Sequence, residues 1–144
     1  IIIRDNGRGI PEELMDRVTD PFFTTRTTRR VGLGLSLFRE ASRRCTGEFR
    51  VKSEVGKGTE VYATFQLDHI DMAPLGDMSG TLTCLIMGNP DVDFAYVHRV
   101  DDRSFEIDTR RIRKELEDVP INSPEVIRYL ADTIDQSLRE VKSA

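Results

Sequence analysis

Asp5-Asn6-Gly7-Arg8-Gly9, followed downstream by Gly32-Leu33-Gly34-Leu35-Ser36, is the pair of segments on which the reading of this chain turns. The apolar run Ile1-Ile2-Ile3-Arg4 feeds the first cluster and reads as a strand. Asp20-Pro21-Phe22-Phe23-Thr24-Thr25 lies between the two clusters. A carboxylate thus sits on a glycine-rich turn after a strand, then comes a basic loop, then a second glycine turn that opens a helix. By itself an Asp-Asn-Gly segment is also an ordinary connector between a strand and a helix.

The chemistry of the first turn is specific. A buried carboxylate such as Asp5 accepts a hydrogen bond from an exocyclic amine, which selects adenine over guanine. Gly7 and Gly9 leave no side chain where a flat base would lie against backbone, and they permit positive φ. In the second cluster, Gly32 and Gly34 precede Leu35, Phe38, Ala41, Ser42 and Cys45, whose spacing predicts an amphipathic helix. A helix start of this kind presents unpaired N–H groups and the positive end of the helix dipole to phosphate oxygens. Thr24 to Arg30 carries Arg26, Arg29 and Arg30 among four threonines. Its arginines either pair bidentately with phosphate or form a solvated basic loop. Val51 to Val61, with Gly56-Lys57-Gly58-Thr59 at its centre, predicts a strand, a glycine turn and a second strand. It is not a phosphate-binding P-loop, which needs four residues between its glycines and a helix after Lys-Thr.

Taken together, these segments resemble the nucleotide pocket of the GHKL ATPase superfamily, which includes bacterial histidine kinases, type II topoisomerases and the heat-shock chaperone and mismatch-repair ATPases. The resemblance covers about the first 67 residues and is closest to the histidine-kinase branch. It places Asp5, Asn6, Gly7, Gly9 and Ile10 in the first glycine box, and Phe22, Thr24 and Thr25 in the F box. Thr24 to Arg30, with Arg26, resembles a short ATP lid, and Gly32, Leu33, Gly34 and Leu35 fall in the second glycine box. Thr59 matches the hairpin threonine that reaches back to the carboxylate and base. The resemblance implies bound ATP with Mg²⁺, and phosphate donation to a His on another segment or chain. The alternative is an ATP-driven conformational switch or regulatory module without phosphotransfer. The Mg²⁺-ligating Asn and the activating acid belong to an N box upstream of Asp5. The chain is therefore expected to be the C-terminal half of the domain, N-terminally truncated, with no catalytic residue or metal ligand of its own. His69 and His98 lie outside any phosphoacceptor context, and with Cys45 and Cys84 they match no zinc spacing.

Composition sets the remaining bounds. At 144 residues the chain holds one domain, or one and a half small ones. Its 38% hydrophobic and 32% charged residues are ordinary for a globular protein. A net charge of −4 disfavours nucleic-acid binding, although Arg39, Arg43 and Arg44 gather locally on the predicted helix. No apolar run approaches the roughly 20 residues of a membrane helix, and no signal-peptide pattern opens the chain. Two scattered cysteines point to a reducing cytoplasm.

The expected fold is α/β (α+β), a two-layer sandwich of helices on a mixed sheet of the Bergerat type, with an added C-terminal α/β segment. The expected elements of the ATPase half, residues 1–67, are a strand to Arg4, a helix from Pro11 to Val18 with Pro11 in its first turn, and a helix from Leu33 to Arg44 stopped by Gly47. Strands over Glu48 to Ser53 and Thr59 to Leu67 complete it. Residues 68–77 read as a linker. Residues 78–144 read as a helix, a hairpin around Asp101-Asp102-Arg103, a helix from Thr109 to Leu116, and a last helix opened by Ser123-Pro124. The stripe Ile127, Leu130, Ile134, Leu138 and Val141 buries one face of that last helix, in its own core or against a second subunit. A dimer through this helix or an exposed sheet edge is accordingly an option. The tail also resembles small stand-alone ATP-binding proteins of anaerobic bacteria, found beside iron-only hydrogenase genes. His69-Ile70-Asp71, Pro74-Leu75-Gly76-Asp77 and Gly88-Asn89-Pro90-Asp91-Val92-Asp93-Phe94 carry that likeness.

Overall fold

The computed structural model describes residues 1–23 and 32–142. The chain divides into two compact units, Ile1–Pro74 and Leu75–Ala144. The predicted lid, with Thr24, Thr25 and Arg26, lies outside the described residues.

In the first unit, β1 (Ile2–Asp5), β2 (Phe49–Glu54) and β3 (Gly58–Ala63) form a sheet of order β1-β3-β2. Both pairings are antiparallel, so the α+β class holds while the described strands are not mixed in direction. Alternation assigns the two faces. Phe49, Val51, Ser53, Thr59, Val61 and Ala63 share one face, and helix α1 (Gly34–Arg44) packs on β2 and β3. Phe38 of α1 meets Phe49 edge-on at 5.9 Å between ring centroids, and lies as close to Phe65. The opposite face is charged, with Arg4 paired to Glu60 and Arg50 over the Tyr62 ring.

Several local expectations change. Asp5 is the last residue of β1 rather than part of the turn. Pro11 caps a 3₁₀ helix over Glu12–Arg17 from outside, with extended ψ, instead of opening an α-helix. On α1 the buried positions are Ser36 and Ser42, followed by the buried Cys45 at its C-terminal cap, while Ala41 is exposed. The stripe therefore runs through Leu35, Phe38, Ser42 and Cys45. Thr46, not Gly47, takes the left-handed position that ends α1, at φ 53°. The Thr46 N–H donates to Arg43 O and the Gly47 N–H to Ser42 O, closing a Schellman turn. Gly47 is needed for proximity, since a Cβ there would lie 1.8 Å from Thr64 O. Finally, β3 ends at Ala63, which leaves Leu67 exposed rather than in a strand.

The second unit comprises α2 (Met78–Gly88), the antiparallel hairpin β4 (Ala95–Val100) and β5 (Arg103–Asp108), α3 (Thr109–Leu116) and α4 (Pro124–Lys142). Asp77 caps α2 by accepting the Gly80 N–H at 2.7 Å. The α4 stripe is spent inside this unit. Leu130, Ile134 and Leu138 form a core with Leu82, Ile86, Ile121 and Val126, flanked by Tyr96, Phe105 and Ile107 of the hairpin. No described helix is long and apolar enough to cross a membrane.

Candidate functional site

The first glycine turn, the end of β1 and the β2–β3 hairpin converge at one end of the three-stranded sheet. Asp5 pairs with Thr59 directly across the β1–β3 ladder, on the same face as Val61. Side chains of such opposed residues start about 4.5–5.5 Å apart at Cβ. The carboxylate is tethered by its own turn: the Gly7 N–H donates to Asp5 Oδ1 at 2.8 Å. Its second oxygen is not used by this bond and keeps its acceptor capacity.

Backbone proximity explains the glycines. Gly9 sits at φ +69°, and a Cβ there would lie 2.1 Å from Glu54 O. The Gly56 N–H reaches Arg8 O at 2.9 Å, so the turn and the hairpin are laced together. Gly58, which the sequence reading passed over, is equally constrained: it has φ +113°, and a Cβ would fall 1.9 Å from Asp5 O. The only signal for it in the sequence was its place in Gly-Lys-Gly-Thr.

Ser53 also escaped that reading. Its Oγ accepts the Ile10 N–H at 2.8 Å, donates to Gly58 O at 2.9 Å and lies 2.9 Å from Thr59 Oγ1. Ile10 is thus held by its backbone. A depression of about 320 Å³ opens at this end of the sheet, lined by Asp5, Ser53 and Thr59 and also by Arg4, Lys52 and Glu60, whose side chains belong to the opposite, charged face. That volume is at the small end for ligand pockets.

The second glycine cluster forms the start of α1. Leu33 occupies the cap position with no side-chain cap, and the first helical bond runs from the Leu37 N–H to Leu33 O at 2.9 Å. The N–H groups of Gly34, Leu35 and Ser36 precede that bond and stay outside the helical ladder. Among the described residues nothing lies within 4 Å of where a Gly34 Cβ would stand. Arg39, further along α1, is tied to Thr19 Oγ1 and is not a free surface charge. The structure does not bring every predicted residue to the carboxylate: the Phe22 side chain is 83% exposed, and its N–H closes a turn onto Asp20 Oδ1. Asn6 is exposed as well, and so is Asp5, which is therefore not the buried carboxylate expected from the sequence: it ends a β1 whose four residues are all exposed.

A carboxylate acceptor at one point and unpaired helix-start N–H donors at another match the two ends of a nucleoside triphosphate, an amine-bearing base and a polyanion. No group of three or more His, Cys, Asp or Glu able to hold a metal gathers among the described residues.

Residues 1–69 match the family described as histidine kinase-, DNA gyrase B-, and HSP90-like ATPase. Over 70 residues the chain is 40% identical to a putative sensor protein of Shewanella frigidimarina, covering 48% of this chain and 11% of that protein. It is 30% identical over 125 residues to sensor kinase CckA of Brucella abortus, covering 73% of this chain and 13% of the kinase. It is 43% identical over 67 residues to the signal transduction histidine-protein kinase AtoS of Escherichia coli, covering 46% and 10%. The chain thus spans only 10–13% of the length of these three relatives.

Proposed function

We propose that the protein containing this chain, whose residues 1–69 belong to the histidine kinase-, DNA gyrase B-, and HSP90-like ATPase family and form an ATP-binding domain of histidine-kinase type, holds the adenine of ATP at the Asp5–Thr59 end of its sheet. The triphosphate runs toward the start of α1. The γ-phosphate then passes to a His on another segment or chain: an imidazole nitrogen attacks the phosphorus, the bond to the β–γ bridging oxygen breaks, and ADP leaves with that electron pair. Mg²⁺ bound with the nucleotide would neutralise charge on its phosphates. Within this chain the work is binding and orientation. Asp5 accepts from the base amine, Gly7 keeps backbone close to the ring, Gly9 lets the turn close on the hairpin, Thr59 flanks the carboxylate, and the N–H groups of Gly34 and Leu35 receive phosphate oxygen.

The observation that carries this reading is the cross-strand pairing of Asp5 with Thr59, with the carboxylate held by the Gly7 N–H. Asp5→Asn in the full-length protein is the test. An amide keeps the shape but replaces a charged acceptor, and losing a charge-assisted hydrogen bond costs about 1.5–3 kcal/mol, roughly tenfold or more in affinity. Calorimetric titration should show that loss with the thermal midpoint retained. An unchanged ATP affinity would remove Asp5 from the site.

A further inference from the structure

Ser53 is bound to three parts of the site at once, and the count of protons on its hydroxyl has a consequence for specificity. The hydroxyl carries one proton and two lone pairs. Gly58 O, 2.9 Å away, can only accept, and the Ile10 N–H, 2.8 Å away, can only donate. The Ser53 proton therefore goes to Gly58 O. The remaining 2.9 Å contact, to Thr59 Oγ1, is satisfied only if Thr59 donates. That commits the single Thr59 proton to Ser53 and leaves Thr59 Oγ1 with lone pairs alone for any further partner. Asp5, its cross-strand partner, is a second group that only accepts.

From this network we infer that Ser53 is a positioning residue for purine discrimination: it locks the Thr59 hydroxyl as an acceptor, so that Asp5 and Thr59 together favour a 6-amino purine and oppose a 6-oxo purine. The inference deepens, and rests on, the reading that this end of the sheet holds the base of ATP. Adenine offers amine hydrogens at its 6 position, whereas a 6-oxo purine offers a carbonyl oxygen. Against two fixed acceptors that oxygen has no donor to meet. Without Ser53 the Thr59 hydroxyl is free to turn and donate, and the 6-oxo base regains a partner.

The test compares ATP with inosine triphosphate, the 6-oxo analogue, by calorimetric titration of the full-length protein with Mg²⁺ present. The wild type should favour ATP by more than about tenfold. Ser53→Ala should narrow that preference by about two- to tenfold, the range for one hydrogen bond, chiefly by improving relative binding of the 6-oxo nucleotide. Ser53→Thr, which keeps the hydroxyl, should restore the ratio. Because Ser53→Ala also removes contacts to the Ile10 and Gly58 backbone, Thr59→Val provides a second arm that leaves those contacts intact and should narrow the ratio as well. Variants that lower both affinities by one common factor, with the ratio unchanged, would reduce Ser53 to a structural pin and overturn the inference. A wild type that binds neither nucleotide would overturn both the inference and the site reading beneath it.

Discussion

Replacing Gly9 by Ala probes the joint between the glycine turn and the hairpin on which the site depends. The added Cβ would stand 2.1 Å from Glu54 O, 2.6 Å from Glu54 C and 3.0 Å from Val55 Cα, all backbone atoms that cannot rotate away. The residue would also be held at φ +69°, which costs an L side chain about 1–2 kcal/mol. Relief requires the turn and the hairpin to separate, which breaks the bond from the Gly56 N–H to Arg8 O and the bond from the Ile10 N–H to Ser53 Oγ. At a net 0.5–1.5 kcal/mol each, these bring the expected loss to about 2–5 kcal/mol, a large part of a domain's stability. Gly56→Ala is the control. Gly56 has a similar φ of +80° but nothing within 4 Å of its Cβ position, so only the conformational cost of about 1–2 kcal/mol applies. Urea unfolding followed by circular dichroism separates the two through their midpoints at common slope. Equal losses for the two variants would refute the idea that contact with Glu54, rather than backbone conformation alone, demands glycine at position 9.

Gly34→Ala should leave stability unchanged or slightly raised, because the position is helical and open, yet weaken ATP binding about tenfold if phosphate oxygens approach that backbone; equal ATP affinity in titration would place the phosphates elsewhere. Ile134→Ala, at a side chain with no exposure in the second unit, should cost about 2–5 kcal/mol in the unfolding transition that reports on that unit; a loss under about 1 kcal/mol would contradict the packing described for α4. Asp108 has its pKa lowered to about 2, first by the Arg110 side-chain hydrogen bond and then by the Arg110 N–H. Because the folded value lies below the unfolded one, the ion pair's contribution is complete above about pH 4 and fades as pH falls through 2. Asp108→Asn keeps the cap on α3 but removes the charge, so thermal midpoints of variant and wild type should differ near neutrality and converge toward pH 2; curves that stay parallel to pH 2 would disprove the assignment.

What could be read in the chain without coordinates was local. The spacing of Asp5, Gly7 and Gly9, the glycine turn opening α1, and the Gly-Lys-Gly-Thr hairpin each occupy a few consecutive residues. Their backbone demands are written in residue type. The α4 stripe was legible for the same reason, since a period of 3.6 over nineteen residues is a one-dimensional signal. Its destination was not. That Leu130, Ile134 and Leu138 are covered by Leu82 and Ile86 rather than by another subunit depends on contacts between distant segments. The same limit accounts for the misread details. Gly47 looked like a helix stop, but its constraint comes from Thr64 O, seventeen positions on, while Thr46 supplies the left-handed turn. Ala41 looked like part of the apolar stripe, but α1 turns Ser42 inward because its hydroxyl meets Glu48 O and Thr64 O. Ser53 shows the gap most clearly. A serine in a strand is unremarkable until folding brings the Ile10 N–H across forty-three residues to its oxygen. Residue type determined which backbone conformations and which helix faces were available; only tertiary proximity decided which side chains share a proton, because hydrogen bonding depends on distance in space and not along the chain.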